Sequence, residues 1–322
     1  MYYFKKMSFV VSRLIHKNSR LDIILTKFIS TVSRSYIKKM ILLGYVSVNN
    51  VIIKIPKKKI FLKDLISVSI KKQLNFISIH KENIPLDIFF EDSEILIVNK
   101  PSNFVVHPGY GNISGTLFNA ILYHYPNNMK LPRAGIVHRL DKNTTGLLLI
   151  SKTIFSYQYC IKLFKKRQVI KEYDVIVIGR MEENGEINSP IKRNMFNRTK
   201  MAINSGGKEA ITQYKIIVRF NHYTYIRVRT KTGRMHQIRV HFSSICHPVL
   251  GDSVYSRGIQ PKVFNFSNKL LKIFLDFSRP ALHARMLKFS HPITRIQRIW
   301  IVSPPIDMII LINSLYIEDM NP

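Results

Sequence analysis

Gly135-Ile136-Val137-His138-Arg139-Leu140-Asp141-Lys142-Asn143-Thr144-Thr145-Gly146-Leu147-Leu148-Leu149-Ile150 sets apolar residues on both sides of a polar centre. In that centre one carboxylate, Asp141, stands among His138, Arg139 and Lys142. Acidic side chains are scarce in this chain, and cations around a carboxylate favour its charged form. A carboxylate held ionised beside an anionic substrate can serve as nucleophile or base. The same residues also suit a loop held together by an Asp141–Arg139 ion pair, or a turn that Asp141 caps. The apolar run Leu147 to Ile150 that follows predicts a short buried strand.

Composition bounds the chemistry. The 322 residues exceed the usual single-domain size, so one large and one small domain are expected. A hydrophobic content of 46% is that of a globular chain and argues against bulk disorder. The 50 Lys and Arg against 19 Asp and Glu leave a net charge of +31, and such an imbalance points to a polyanion, with nucleic acid the first choice. Part of the charge accompanies a general richness in Lys, Ile and Asn. The two cysteines, Cys160 and Cys246, lie far apart without ligand spacing, which excludes a disulfide framework or thiolate zinc site and predicts a reduced, cytoplasmic protein. No run approaches the ~18 apolar residues of a membrane span, and the first eleven residues are too short and interrupted for a signal sequence.

Residues 20–70 carry the pattern of a compact α+β unit. Leu21, Ile24, Leu25 and Phe28 lie on one face of a helix. Ser33 suits the N-cap of a second helix, whose face is Ile37, Met40 and Ile41 and whose end is Gly44. A hairpin around Asn49-Asn50 and a strand from Leu65 to Ile70 follow. Arg34, Lys38 and Lys39, with Lys57, Lys58 and Lys59, are candidates for one basic face against RNA phosphates. Arg20-Leu21-Asp22, Ser33-Arg34, Gly44-Tyr45-Val46-Ser47-Val48-Asn49 and Asp64-Leu65-Ile66-Ser67-Val68 resemble the S4 domain, a small RNA-binding module. That resemblance divides the chain into an extension over 1–17, an S4-like domain over 18–74, a linker over 75–86 and a larger domain over 87–322.

The larger region opens with strand-like Ile88-Phe89-Phe90 and Ile95 to Val98. Glu91, Asp92 and Glu94 form an acidic cluster of the kind a two-metal site needs, but at a strand entrance without a histidine partner they predict a solvated turn. Helices are expected over 115–125, 157–164 and 305–314, strands over 171–178 and 225–228, and core elements at 281–284 and 299–302. The second polar block, Thr230-Lys231-Thr232-Gly233-Arg234-Met235-His236-Gln237-Ile238-Arg239-Val240-His241, repeats the residue types of the first. Cations for phosphates, amides and histidines for base edges and a tyrosine for stacking suit a flipped nucleotide. A deaminase zinc motif, a Walker loop and a serine-hydrolase elbow are all missing.

His138-Arg139-Leu140-Asp141-Lys142-Asn143-Thr144-Thr145-Gly146-Leu147 resembles the active-site motif of the RluA family of RNA pseudouridine synthases, and Thr232-Gly233-Arg234-Met235-His236-Gln237-Ile238-Arg239 its second signature. The likeness extends through Asn99-Lys100-Pro101, Val105-Val106-His107-Pro108-Gly109, Glu172-Tyr173, Gly251-Asp252 and Ala281-Leu282-His283-Ala284. It implies an α+β protein whose catalytic domain is built on a mixed, mainly antiparallel sheet with flanking helices. It implies that uridine becomes pseudouridine in large-subunit (23S) ribosomal RNA, free or in an assembling subunit, by a monomer without cofactor or metal. Residue by residue, Asp141 matches the catalytic aspartate, Tyr173 the tyrosine that stacks on the base, Arg239 the arginine that pairs with the aspartate, and Arg139 the residue that fills the space left by the extruded uridine. His107, Arg234, His236 and Gln237, with Arg34 and Lys38 in the first domain, are the further candidates for RNA contact. Two positions depart from the pattern: Asn103 stands where glycine is usual, and Met235 where a small polar residue is usual. The competing reading is a non-catalytic RNA-binding ribosome-assembly factor, against which the joint presence of Asp141, Tyr173 and Arg239 argues.

Overall fold

The computed structural model describes residues 3–11, 19–29, 34–72, 80–109, 111–197, 199–256 and 266–320. Two compact units emerge, residues 1–80 and 81–322.

In the first unit a four-stranded antiparallel sheet, ordered β1 (Tyr3–Val10), β4 (Leu65–Lys72), β2 (Val46–Val48), β3 (Val51–Ile52), is covered by α1 (Leu21–Phe28) and α2 (Arg34–Leu42). The apolar stripe Leu21, Ile24, Leu25 and the stripe Ile37, Ile41 meet Val46, Val48, Ile66 and Val68 in one core. Gly44 at φ +80° ends α2, and Asn49 and Asn50, at φ 50° and 67°, make the tight turn between β2 and β3. The Ser33 cap expected for α2 lies outside the described residues. The extension expected over 1–17 is corrected in part: β1 pairs along its length with β4, and Phe9 stacks on Phe28 at 4.3 Å. The doublet Lys5-Lys6 breaks the alternation by which such a strand is recognised.

The second unit is organised by a nine-stranded sheet. Its elements in chain order are β5 (Ile88–Glu91), β6 (Ile95–Lys100), α3 (Leu117–His124), β7 (Thr145–Ser151), α4 (Ile154–Lys165), β8 (Ile170–Ile178), β9 (Gly185–Asn188), β10 (Ile191–Arg193), β11 (Met201–Ile203), β12 (Ile211–Arg219), β13 (Tyr223–Thr230), α5 (Gln237–Ser244), α6 (Asn268–Asp276), β14 (Leu282–Ser290), β15 (Gln297–Ile301) and α7 (Ile306–Met320). The strand order is β5-β6-β7-β14-β8-β13-β12-β9, with β15 on β14, and β10 and β11 form a separate hairpin. Among the described residues only β7 and β14 run parallel within the sheet, so it is mixed and mainly antiparallel, with helices flanking it. Every residue of β7 is buried, as expected of a central strand covered on both faces. On β6, Leu96 and Val98 join the core of α3 and α5, while Ile95 and Ile97 join that of α4 and Trp300.

Several expectations are corrected here. Residues 82–86, expected in a linker, dock on the second unit: the Gly115 N–H donates to both carboxylate oxygens of Glu82, and Ile84 and Leu86 pack on the main core. The acidic cluster is the exposed β5–β6 turn that was expected, but its carboxylates are paired and a histidine does reach it. Glu91 accepts from Lys152 and Tyr125, each at 2.7 Å, and Asp92 accepts two backbone N–H groups and meets His291 Nε2 at 2.9 Å. Of 299–302, Trp300 is core while Ile299 and Ile301 are exposed. The last helix runs past Ser314 because Glu318 and Asp319 accept N–H groups from Ser267 and Asn221. Helix α6 and strand β12 had no counterpart in the sequence reading.

Candidate active site

The loop before β7 presents Asp141, and buried contacts hold that loop. Lys100, 1% exposed at the end of β6, donates from Nζ to the carbonyls of Pro101, Phe104 and Lys142 at 2.7 to 2.9 Å. Burial pushes its amine down to about 7. The Phe104 N–H also reaches the Lys142 carbonyl, so the loops after β6 and before β7 are stapled together. Asn103 adopts φ +56°, the left-handed conformation that explains how asparagine serves where glycine is usual. At the start of β7, Gly146 has φ +108°, and a Cβ there would lie 2.3 Å from the Ala284 carbonyl oxygen, so the parallel contact with β14 demands glycine.

His138 does not act as one of the cations around Asp141. Its Nε2 accepts the Leu149 N–H at 2.9 Å, its ring stacks on Phe164 at 4.9 Å, and burial, with Lys171 adding to it, pushes its pKa down to about 3. Arg139 and Lys142 are exposed. The cation at Asp141 comes instead from the second polar block, where Arg239 on α5 sets Nη1 3.4 Å from Asp141 Oδ2. His236 Nε2 lies 3.9 Å from the same oxygen.

Arg239 is fixed from behind. Its Nε and Nη2 donate to the two oxygens of Asp252 at 2.7 and 2.8 Å, a fork that leaves one edge for Asp141. Asp252 is fully buried and also accepts the N–H groups of Val254 and Tyr255. The Tyr255 ring lies 5.0 Å from the guanidinium carbon. Tyr173, in register with Val228 on β13, reaches the cleft from β8 and is 9% exposed. Burial pushes its phenol up to about 12, so it stays protonated at neutral pH.

A cleft of about 510 Å³ is lined by Asp141, Tyr173 and Arg239 together with Arg139, Lys171, Arg234, Met235, His236 and Gln237. That volume falls within the usual range for small-molecule sites, and cations crowd its rim. Two of these lining residues are spent on the loop itself, and His107, Arg34 and Lys38 stand elsewhere. Gln237 is 4% exposed and its amide is committed to Thr232, Arg234, Ile211 and Thr212, so it braces the loop. Arg234 donates Nε to the Glu209 carbonyl. His107 is not among the cleft residues; it lies near Phe118, with its pKa pushed to about 4 by burial. In the first unit Arg34 bonds the buried Asp22 at 2.9 Å, and Lys38 approaches it at 4.0 Å. Burial opposes ionisation of Asp22, yet Arg34 and Arg20 hold its carboxyl below the usual range. Sequence reasoning assigned no role to Asp252, Tyr255, Lys100 or Lys171. Asp252 was visible as a rare acid 13 residues beyond Arg239.

Residues 94–244 match the family model described as RNA pseudouridylate synthase. The chain is 46% identical over 289 residues to ribosomal large subunit pseudouridine synthase D of Buchnera aphidicola, covering 90% of this chain and 92% of that one. It is 44% identical over 298 residues to the protein of the same name from Pasteurella multocida, covering 92% and 91%. The chain belongs to the RluA family of RNA pseudouridine synthases. It is an RNA pseudouridine synthase enzyme. Two human structures carry the same fold: RNA pseudouridylate synthase domain containing 4, with TM-score 0.56 and 24% identity over 71% of this chain and 92% of that one, and domain containing 1, with 0.51 and 23% over 73% and 96%. In this synthase the cleft lies between the loop before β7, strand β8 and the start of α5, and all of its lining except Leu282 falls inside the span matched by the family model.

Proposed function

We propose that this pseudouridine synthase isomerises specific uridines in 23S ribosomal RNA, with Asp141 as the reacting carboxylate. The observation that carries the reading is the meeting in one cleft of Asp141, its Arg239 partner at 3.4 Å and the buried Tyr173. The relatives named for the large ribosomal subunit support the substrate, and a ribosomal substrate implies action in the cytoplasm. A uridine swung out of its stack enters the cleft, at a cost of a few kcal/mol that phosphate contacts offset. The C1′–N1 bond breaks, the uracil turns, and C1′ bonds to C5. The C5 proton leaves, and N1 ends protonated. Asp141 either attacks the sugar or assists loss of its proton, Arg239 keeps its charge in place, and Tyr173 packs on the base as a neutral phenol.

The first unit is the RNA-gripping, S4-like part of this reading. Its exposed Lys39, Lys57, Lys58 and Lys59 stand apart from the Asp22 ion pairs and are the cations offered to phosphate. Purified protein incubated with 23S RNA is expected to yield mapped pseudouridines. Asp141→Asn is expected to yield none while RNA affinity stays within a few fold, because many cations share the binding. Tight binding by the wild type with no pseudouridine would favour the assembly-factor reading.

A further inference from the structure

The contacts around His236 specify more than proximity to Asp141. The Tyr255 hydroxyl oxygen accepts the Met201 backbone N–H at 2.8 Å and lies 2.7 Å from His236 Nδ1. A backbone N–H can only donate, so the phenol proton is the one free to bridge to the imidazole. Tyr255 is 7% exposed and burial raises its pKa, so that proton is retained. Were Nδ1 the donor, the phenol proton would be left in a buried place without this acceptor. Burial also lowers the pKa of His236; Arg239 and Arg139 act in the same direction, against Asp141 and Asp252. A neutral ring that accepts at Nδ1 carries its hydrogen on Nε2, the atom facing Asp141 Oδ2 at 3.9 Å.

We infer that Tyr255 is a positioning residue that fixes His236 as its Nε2–H tautomer, so that His236 and Arg239 together hold Asp141 Oδ2 and leave Oδ1 to meet the substrate. This rests on Asp141 being the reacting carboxylate. The geometry explains why His236 sits at the head of α5 with φ +54°, a left-handed conformation that few residues other than glycine adopt. Its ring meets the Tyr255 ring edge-on at 5.6 Å, while the same tyrosine ring lies against Arg239. At 3.9 Å the contact with Asp141 is longer than a hydrogen bond, so the hold on Oδ2 requires it to shorten when substrate fills the cleft. Met201 opens β11, and Lys200 beside it donates to the Val254 carbonyl, so the seating of the β10–β11 hairpin sets the direction of the tyrosine proton.

The test uses full-length protein with ¹⁵N-labelled histidine, the His236 signals being identified by their loss in His236→Gln. Nδ1 is expected unprotonated and Nε2 protonated at pH 7; a proton on Nδ1 overturns the inference. Tyr255→Phe is expected to mix the tautomers and to slow single-turnover pseudouridine formation roughly 10-fold, the effect of one lost hydrogen bond, with RNA affinity within about twofold of wild type. His236→Gln, which still offers an N–H, is expected to retain more rate than His236→Leu. If Tyr255→Phe forms product as fast as wild type, the inference falls while the function stands. If the wild type forms no pseudouridine, the function falls and the catalytic part of the inference with it.

Discussion

Removing the Asp252 carboxylate strands the guanidinium on which the cleft is built. Asp252 is fully buried and Arg239 keeps only 9% of its side chain exposed, so deleting one partner leaves a charge that water cannot reach. Two charge-assisted bonds at 2.7 and 2.8 Å are lost, and the N–H groups of Val254 and Tyr255 lose their acceptor as well. The remaining compensation is Asp141 at 3.4 Å, one edge of the fork. Breaking a buried pair in this way costs about 3–5 kcal/mol, and Asp252→Ala is expected to lower stability by that amount. Urea unfolding followed by Trp300 emission reads it directly. Trp300 is the sole tryptophan of the chain, 6% exposed, and sits 4.6 Å from Phe289 within the second unit. Arg239→Met removes the stranded charge, so the double variant is expected to be at least ~1 kcal/mol more stable than the sum of the single changes predicts. A loss under ~1 kcal/mol for Asp252→Ala, the range of exposed ion pairs, would refute the reasoning, and so would strict additivity.

Two further outcomes are expected. Gly146→Ala drives a methyl group into the Ala284 carbonyl and forces a left-handed φ on alanine, so a loss of several kcal/mol, read as a lower Tm or insoluble protein, is expected, whereas a Tm near wild type would refute the close approach of β7 and β14. Burial holds His107 and His283 at about 4 and His138 at about 3, below the ordinary ~6.5 of the unfolded chain. The unfolded state therefore binds more protons in that window, and stability is expected to be fully present above pH ~6.5 and to fall as pH drops towards 4, with unfolding at pH 5 taking up extra protons in calorimetry.

The two polar blocks were legible because chemistry-bearing residues cluster there without apolar period, and the central sheet was legible through Leu147 to Ile150 and the strand carrying Tyr173. Local reading failed where partners come from afar. The sequence neighbours of Asp141 suggested its cations, yet His138 is spent on the Leu149 N–H, and the charge arrives from Arg239, 98 residues on. Helix α5 was hidden by composition: Gln237-Ile238-Arg239-Val240-His241 alternates polar and apolar like a strand, yet the structure makes it a helix buried from Gln237 to Ser243. Such a helix tolerates burial because most of its polar atoms are paired, Gln237 with four groups of the loop and strand, Arg239 with Asp252 and His241 Nε2 with the Ser189 carbonyl, while His241 Nδ1 is buried without a partner among the described residues.

If Asp141 is the reacting carboxylate proposed above, those pairings tie stability to catalysis in one place. A guanidinium that met Asp141 alone would have to be ordered when substrate arrives, at the expense of several rotatable bonds. Asp252 orders it in advance, its second oxygen shared with the turn that carries Tyr255, whose hydroxyl lies 2.7 Å from His236 Nδ1. On the proposed tautomer, two donors face Asp141 from one cluster formed by α5 and residues 252–255, while Lys100 holds the aspartate's own loop. Preorganisation of this kind is what a reaction without hydrolysis or redox change needs, because its rate depends on charges already in place around a base that must turn within the site.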